Sequence, residues 1–327
     1  MALTGIRHPR LDSQVRAMFE ADPPGDFTKM DPTANRQPHV PASSQRQTEG
    51  SFVERSIPGP GGPLAIRLHR PSGDGPHPAI IYLHGGGFVF GDLDGTDQNC
   101  RVIADLAQCV VISVDYRLAP QTKFPGAHED VYAALTWVAG HATDLGIDPS
   151  RIAVGGMSAG ANLASAVAAM SRDRGGPTIA FQLLIQGMFE PRCDAPSHAA
   201  FGGISFPSAA PLWFMEHLFA RAEDRDHPYV ALLRAPDLSG LPPALVVTGE
   251  CDPLRDEAEA YGRRLQDAGV ETEVRRYDGM PHGLFGLPVD TSKRAFDEVF
   301  ATLKERLTSR QDAAHAGRGL HGREPAT

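Results

Sequence analysis

Ser158 lies in the pentapeptide Gly156-Met157-Ser158-Ala159-Gly160, directly after the apolar run Ile152-Ala153-Val154 and directly before a helix-forming stretch. A serine at such a strand-to-helix junction sits on a turn tight enough to strain its own backbone. The flanking glycines answer that need, because neighbouring chain passes too close for a side chain. The hydroxyl would stand at a helix N-terminus, where negative charge is stabilised. That is a setting for a nucleophile. With 34 glycines in 327 residues, the pentapeptide is weak evidence alone. The partners such a nucleophile needs must also be present.

A serine hydroxyl needs a base to take its proton, a carboxylate to hold that base in one tautomer, and preset donors for the oxyanion. His282, in Asp278-Gly279-Met280-Pro281-His282-Gly283, follows the apolar run 272–277, and that position singles it out among 13 histidines. Asp252 follows the run 244–248 and precedes Pro253, so it also reads as a helix N-cap; Glu250 and Asp256 are its competitors. His84-Gly85-Gly86-Gly87-Phe88 comes directly after the run 79–83. It leaves the amides of Gly85 and Gly86 unobstructed, and the amide of Ala159 completes an oxyanion hole. Each such donor is worth on the order of 10² to 10³ in turnover. The order Ser158, Asp252, His282 is the nucleophile–acid–base order of α/β-hydrolases. Rival uses of the glycines fail on spacing. A phosphate-binding loop ending at Gly160 needs Lys and then Ser or Thr, where Ala161-Asn162 follow. Neither glycine cluster has the dinucleotide-binding pattern, and no paired His–Glu motif suggests a catalytic metal.

These residues need elements to position them. Residues 51–57 and 64–69, with Gly59-Pro60-Gly61-Gly62-Pro63 between them, predict a hairpin. Apolar runs at 79–83, 110–114, 152–155, 181–185, 244–248 and 272–277 follow, most of them separated by helical stretches at 99–108, 127–142, 161–172 and 254–268; 291–307 closes the fold. Continuous β-branched runs between helices are parallel strands buried on both faces. The expected fold class is therefore α/β, a mostly parallel eight-stranded sheet flanked by helices. Segment 188–235 carries Phe201, Phe206, Trp213, Phe214 and Phe219 but no credible strand. It is too long for a plain loop and reads as a helical cap over the carboxyl ends of the strands. The core divides into 51–187 and 236–310. The polar stretch 311–327 reads as a disordered tail. Segment 1–50 is peripheral, with one amphipathic stretch near 14–19. Phe88, Phe90, Met157, Trp213 and Phe214 are candidate pocket walls.

Hydrophobic content of 41% and charged content of 22% are ordinary for a soluble domain. A net charge of −9 argues against nucleic acid and anionic membranes as partners. Residues 1–16 hold no apolar signal-peptide core, and no apolar stretch approaches membrane-spanning length. Cys100, Cys109, Cys193 and Cys251 show no paired spacing, so neither a zinc site nor a disulfide framework is indicated. The expected compartment is the cytoplasm.

Together, His84 to Phe88, Asp115-Tyr116-Arg117-Leu118-Ala119-Pro120, Phe124-Pro125 with Glu129-Asp130, Gly156 to Gly160, Asp252 to Asp256 and His282-Gly283 form a specific set. Over about 52–307 the chain resembles the hormone-sensitive-lipase branch of the α/β-hydrolases, which includes many bacterial carboxylesterases. The resemblance implies an α/β-hydrolase fold whose cap combines segment 1–50 with the 188–235 insertion. It implies hydrolysis of small-molecule esters through an acyl-enzyme on Ser158, with no cofactor, and is compatible with a homodimer. It also implies that His84 and residues 115–120 brace the oxyanion loop. The same triad serves amidases, lactonases and acyltransferases, and some relatives are non-hydrolytic after losing part of it; none is lost here. Three departures stand out. Met157 replaces an acidic residue or threonine, Ala161 replaces glycine, and Gln186-Gly187-Met188-Phe189 replaces a tyrosine–proline after the sixth strand, which points to an unusual acyl pocket.

Overall fold

A computed structural model describes the backbone of residues 5–33 and 52–318. β1 (Phe52–Gly59) and β2 (Gly62–His69) form the expected hairpin, with Gly59 paired to Gly62. Gly62 has φ +118°, a conformation the tight turn needs and other residues resist. β3 (His77–Leu83), β4 (Val110–Val114), β5 (Ile147–Met157), β6 (Phe181–Ile185), β7 (Ala244–Cys251) and β8 (Thr272–Pro281) complete one eight-stranded sheet, ordered β1-β2-β4-β3-β5-β6-β7-β8. β2 is antiparallel to both neighbours, and every pair from β4 to β8 is parallel.

Alternation along each strand sends side chains to two separate cores. Ile81, Leu83, Ile112, Val154, Leu184 and Val246 pack against α3 (Gly126–Gly140), α4 (Ala159–Asp173) and α7 (Arg255–Asp267), through Val131, Leu163, Val167 and Tyr261. Ile80, Tyr82, Val111, Ala153, Leu183 and Val247 face the other way, onto Ile103 of α2 (Leu93–Ala107) and Phe296 and Phe300 of α8 (Asp290–Arg318). Helix α1 (Ser13–Ala21) adds Val15 and Phe19 to this second core. Each fully buried aliphatic side chain contributes roughly 1.5–3 kcal/mol. Burial on both faces is why these strands read as mainly apolar runs with no polar–apolar alternation, Ser113 and Gln182 being buried among them.

From β3 the chain winds to β4 on one side and returns to β5 on the other. The carboxyl ends of β3 and β5 therefore flank the point where the winding reverses, where open α/β sheets bind ligands. Between β6 and β7 lie α5 (Pro196–Phe201), α6 (Ala210–Leu218) and short 3₁₀ turns, with no strand, as the aromatic-rich insertion implied. The N-terminal segment is tied to that insertion and to the core: the Gly5 amide donates to Gly203 O at 3.0 Å, and the Asp12 amide to Gly279 O at 2.9 Å.

Several boundaries differ from the sequence-based reading, two helix ends most of all. Helix α2 starts at Leu93 rather than 99 because Asp92 caps it, accepting from the Gly95 amide at 2.7 Å. Helix α8 runs on to Arg318, past the expected tail boundary at 311. The remainder of that tail, 319–327, and residues 34–51 lie outside the described residues.

Candidate active site

Strand register assembles the site. Leu83 pairs with Gly156, Met157 with Ile185, and Cys251 with Pro281. The residues leaving these carboxyl ends therefore fall side by side, Gly85 and Gln186 flanking Ser158, and Asp252 beside His282. Ser158 has φ +58° and ψ −119° and is nearly buried. That strained backbone is what a sharp strand-to-helix elbow imposes. A Cβ on Gly156 would lie 2.5 Å from Leu83 O, and one on Gly160 only 2.1 Å from the same oxygen and 2.5 Å from His84 O. Both glycines are required by the close approach of the β3 end.

The loop after β3 turns on Gly86 (φ +107°) and Gly87 (φ +63°). A Cβ on Gly85 would sit 3.4 Å from Ser158 Cβ, so this backbone passes directly over the serine. The loop is held from beneath. Tyr116 Oη donates to His84 O at 2.8 Å and its ring stacks on the imidazole at 4.2 Å. His84 Nδ1 meets Gly85 O at 2.7 Å, and burial pushes the His84 pKa down, keeping the ring neutral. Ala119 donates its amide to Phe88 O at 2.8 Å, while Arg117 clamps Asp130 of α3 through two bonds of 2.8 and 2.7 Å. Residues 84 and 115–120 thus act as supports.

Asp252, the first residue after β7, is fully buried. Its Oδ2 and Oδ1 lie 3.0 and 3.1 Å from His282 Nδ1, and Oδ1 also accepts from the Leu254 amide at 2.8 Å. The Leu254 bond closes a turn just ahead of α7 and does not cap it: Leu254 holds the N-cap position and no side chain caps that helix, so the expected N-cap reading of Asp252 is not met. A carboxylate beside Nδ1 keeps the proton there and leaves Nε2 as an acceptor. The competing acids are engaged elsewhere: Glu250 accepts the Gly279 amide at 2.9 Å, and Asp256 accepts the Ser197 amide at 2.9 Å. The insertion between β6 and β7 reaches His282 as well, Ser205 Oγ donating to His282 O at 2.8 Å and Phe206 meeting the imidazole edge-on at 5.2 Å. Among the described residues the Ser158 hydroxyl makes no hydrogen bond to the ring; the ring's own bonds run to Asp252.

Of the five pocket candidates, Phe90, Trp213 and Phe214 come together. Phe90 stacks on Trp213 at 5.9 Å and meets Phe214 edge-on at 6.1 Å, with Phe27 of the N-terminal segment 6.3 Å from Phe90. A Cβ on Gly87 would lie 2.2 Å from the Phe214 ring, so α6 seats on the loop after β3 only because glycine is there. Met157 is half-buried, its Cε 3.5 Å from where a Gly85 Cβ would stand. Phe88 differs: it is 1% exposed and stacks on buried His128, on the core side of the loop. Phe27 and Ser205 carry no signal in the sequence, and Phe206 stands out there only as one aromatic residue of the 188–235 insertion; all three sit in segments without periodicity.

A family model described as alpha/beta hydrolase fold matches residues 80–286. The chain belongs to this family, in its hormone-sensitive-lipase branch, and is a hydrolase of the carboxylesterase class. Among its relatives is the carboxylic ester hydrolase LipN of Mycobacterium tuberculosis, 40% identical over 248 residues, 74% of this chain and 66% of LipN. An arylesterase of Saccharolobus solfataricus is 35% identical, covering 74% of this chain and 79% of that protein. A solved esterase from Pyrobaculum calidifontis superposes with a TM-score of 0.84 at 37% identity, over 90% of this chain and 98% of the other. A thermostable esterase from Pseudomonas putida superposes at 0.86 with 31% identity, over 92% and 98%. No helix among the described residues is long and apolar enough to cross a membrane.

Proposed function

We propose that the chain hydrolyses small carboxylic esters through an acyl-enzyme on Ser158, with His282 as base and Asp252 as its orienter. The observation that carries this reading is the fully buried Asp252 carboxylate with both oxygens on His282 Nδ1, across the same strand ends as a serine held at φ +58°. Ser158 Oγ attacks the ester carbonyl and its proton passes to His282 Nε2. The tetrahedral oxyanion lies against the amides of Gly85, Gly86 and Ala159. Collapse breaks the bond to the alkoxy group, which leaves as the alcohol with the proton from Nε2. Water, deprotonated by the same nitrogen, then attacks the acyl-enzyme; the acid departs and Ser158 regains its proton. Catalytic hydrogen bonds are often long before substrate arrives, so the serine–imidazole contact forms as the substrate seats.

The aromatic group of Phe27, Phe90, Trp213 and Phe214 joins the N-terminal segment, the oxyanion loop and the cap. A cap seated this closely leaves limited room for an acyl chain and supports a preference for short ones. Relatives named arylesterase and ethyl acetate hydrolase agree with small esters. The test is a chain-length series of activated esters assayed with the native protein and Ser158→Ala. Activity should peak at short acyl chains and vanish in the variant. Undiminished hydrolysis by Ser158→Ala would mean another nucleophile. Competing alcohols in the same assay separate hydrolysis from acyl transfer.

A further inference from the structure

The departure at the end of β6 places a polar side chain where the family resemblance leads one to expect an aromatic ring. Gln186 is fully buried, with its backbone in the left-handed region at φ +48°, a conformation uncommon for a residue with a side chain. Its amide is fixed to β7 by donation to Val247 O at 2.7 Å. The side chain then reaches across Gly249 of β7 to the turn that carries His282. Gln186 Oε1 accepts from the Gly283 amide at 2.9 Å and the Leu284 amide at 3.0 Å, while Nε2 donates to Pro281 O at 2.8 Å. One carboxamide therefore brackets His282 on both sides. The bonds leave no ambiguity in which end is oxygen, since two N–H groups face one end and a carbonyl faces the other.

The neighbouring residue completes the link. Ile185 O accepts the Ser158 amide at 2.9 Å. Two consecutive residues at the end of β6 thus hold the nucleophile through a main-chain carbonyl and the base through a side chain. Gly249 is part of the device: a Cβ there would stand 3.0 Å from Gln186 Nε2 and 2.4 Å from Met280 O. No aliphatic residue could replace the carboxamide without removing the partner of the buried Leu284 N–H, of the half-buried Gly283 N–H and of the Pro281 carbonyl. Asp252 orients the ring within its plane of hydrogen bonding. Its carboxylate bonds the His282 ring but not the main chain of the 281–284 turn, with which the carboxamide makes three bonds.

We propose that Gln186 is a positioning residue for the base, setting the distance between His282 and Ser158 through the 281–284 turn. This rests on the Ser158–His282–Asp252 reading above. A group placed within roughly 1 Å of its productive position matters to the chemical step far more than to binding, at a cost on the order of 10²-fold when lost.

The experiment compares native protein, Gln186→Met, Gln186→Glu and Ser158→Ala, with active-site concentration set by a serine-directed phosphonate and folding checked by thermal melting. Gln186→Met keeps the side chain's length but not its hydrogen bonds. Its kcat should fall on the order of 10- to 100-fold, with KM within about 3-fold of native. Gln186→Glu keeps the acceptor for both amides, and while protonated it also keeps a donor for Pro281 O. Once ionised it sets a carboxylate oxygen against that carbonyl. Its kcat–pH profile should therefore carry a new descending limb, absent from the native enzyme and from Gln186→Met. Native kcat in Gln186→Met, or a Gln186→Glu profile parallel to native, would overturn the proposal. If Gln186→Met does not fold, the Gln186→Glu profile alone decides in the same way. Hydrolysis surviving in Ser158→Ala would strike the triad reading itself, and that result is read separately.

Discussion

Asp252→Asn separates chemistry from folding more cleanly than any other change at the site. In the native chain Oδ1 faces the Leu254 amide at 2.8 Å, while Oδ2 faces only His282 Nδ1, at 3.0 Å. An asparagine that keeps its oxygen on the Leu254 amide must turn its NH₂ toward the imidazole. The opposite orientation would set NH₂ against a main-chain N–H. The turn at Leu254 is therefore preserved, and NH₂ at the shorter of the two contacts to Nδ1 drives the imidazole toward the other tautomer, with the proton on Nε2 and no acceptor for the serine proton. Amidation of the orienting carboxylate in a serine triad lowers kcat on the order of 10⁴-fold, which is about 5 kcal/mol of barrier. The assay is hydrolysis of a short activated ester across a range of pH, with thermal melting alongside. The expected result is a loss of that size with a melting temperature near native. A variant within about tenfold of native kcat would refute the assignment of Asp252.

Two further outcomes follow from the packing around the serine and under the cap. Gly160→Ala puts a methyl carbon 2.1 Å from Leu83 O, so urea denaturation should show about 2–3 kcal/mol of lost stability; an unchanged midpoint would contradict the close approach of β3 to the elbow. Trp213→Ala opens the wall stacked on Phe90 and should raise kcat/KM for an eight-carbon acyl chain about tenfold relative to a four-carbon one; an unchanged ratio would remove Trp213 from the pocket.

Much of this arrangement was legible in the residues. The strands 110–114 and 181–185 coincide with their apolar runs because both faces of the central sheet are covered, and the one polar residue in each, Ser113 and Gln182, is itself buried. Edges are less readable. β8 continues through Asp278 and Gly279 to Pro281, and the turn-forming residues there occupy an irregularity: the register with β7 shifts between Tyr277, opposite Gly249, and Pro281, opposite Cys251, with Gly279 at φ +69°. Ser158, Asp252 and His282 could be named since each directly follows a strand in the right order. Gln186 announced itself only as a departure. Its role depends on how far β6 stands from the 281–284 turn, which spacing along the chain does not encode. Phe27 was hidden for a related reason: its segment has no periodicity, and only its docking beside Phe90 and Phe214 gives it a place at the site.

The central claim is that Ser158 becomes covalently acylated. Mass spectrometry of the native protein after treatment with a serine-directed phosphonate, and after rapid acid quenching during turnover of a slow ester, reads this directly. The account predicts a single adduct on the peptide containing Gly156 to Gly160, absent in Ser158→Ala. An adduct on another residue, or ester turnover without any adduct on Ser158, would contradict it.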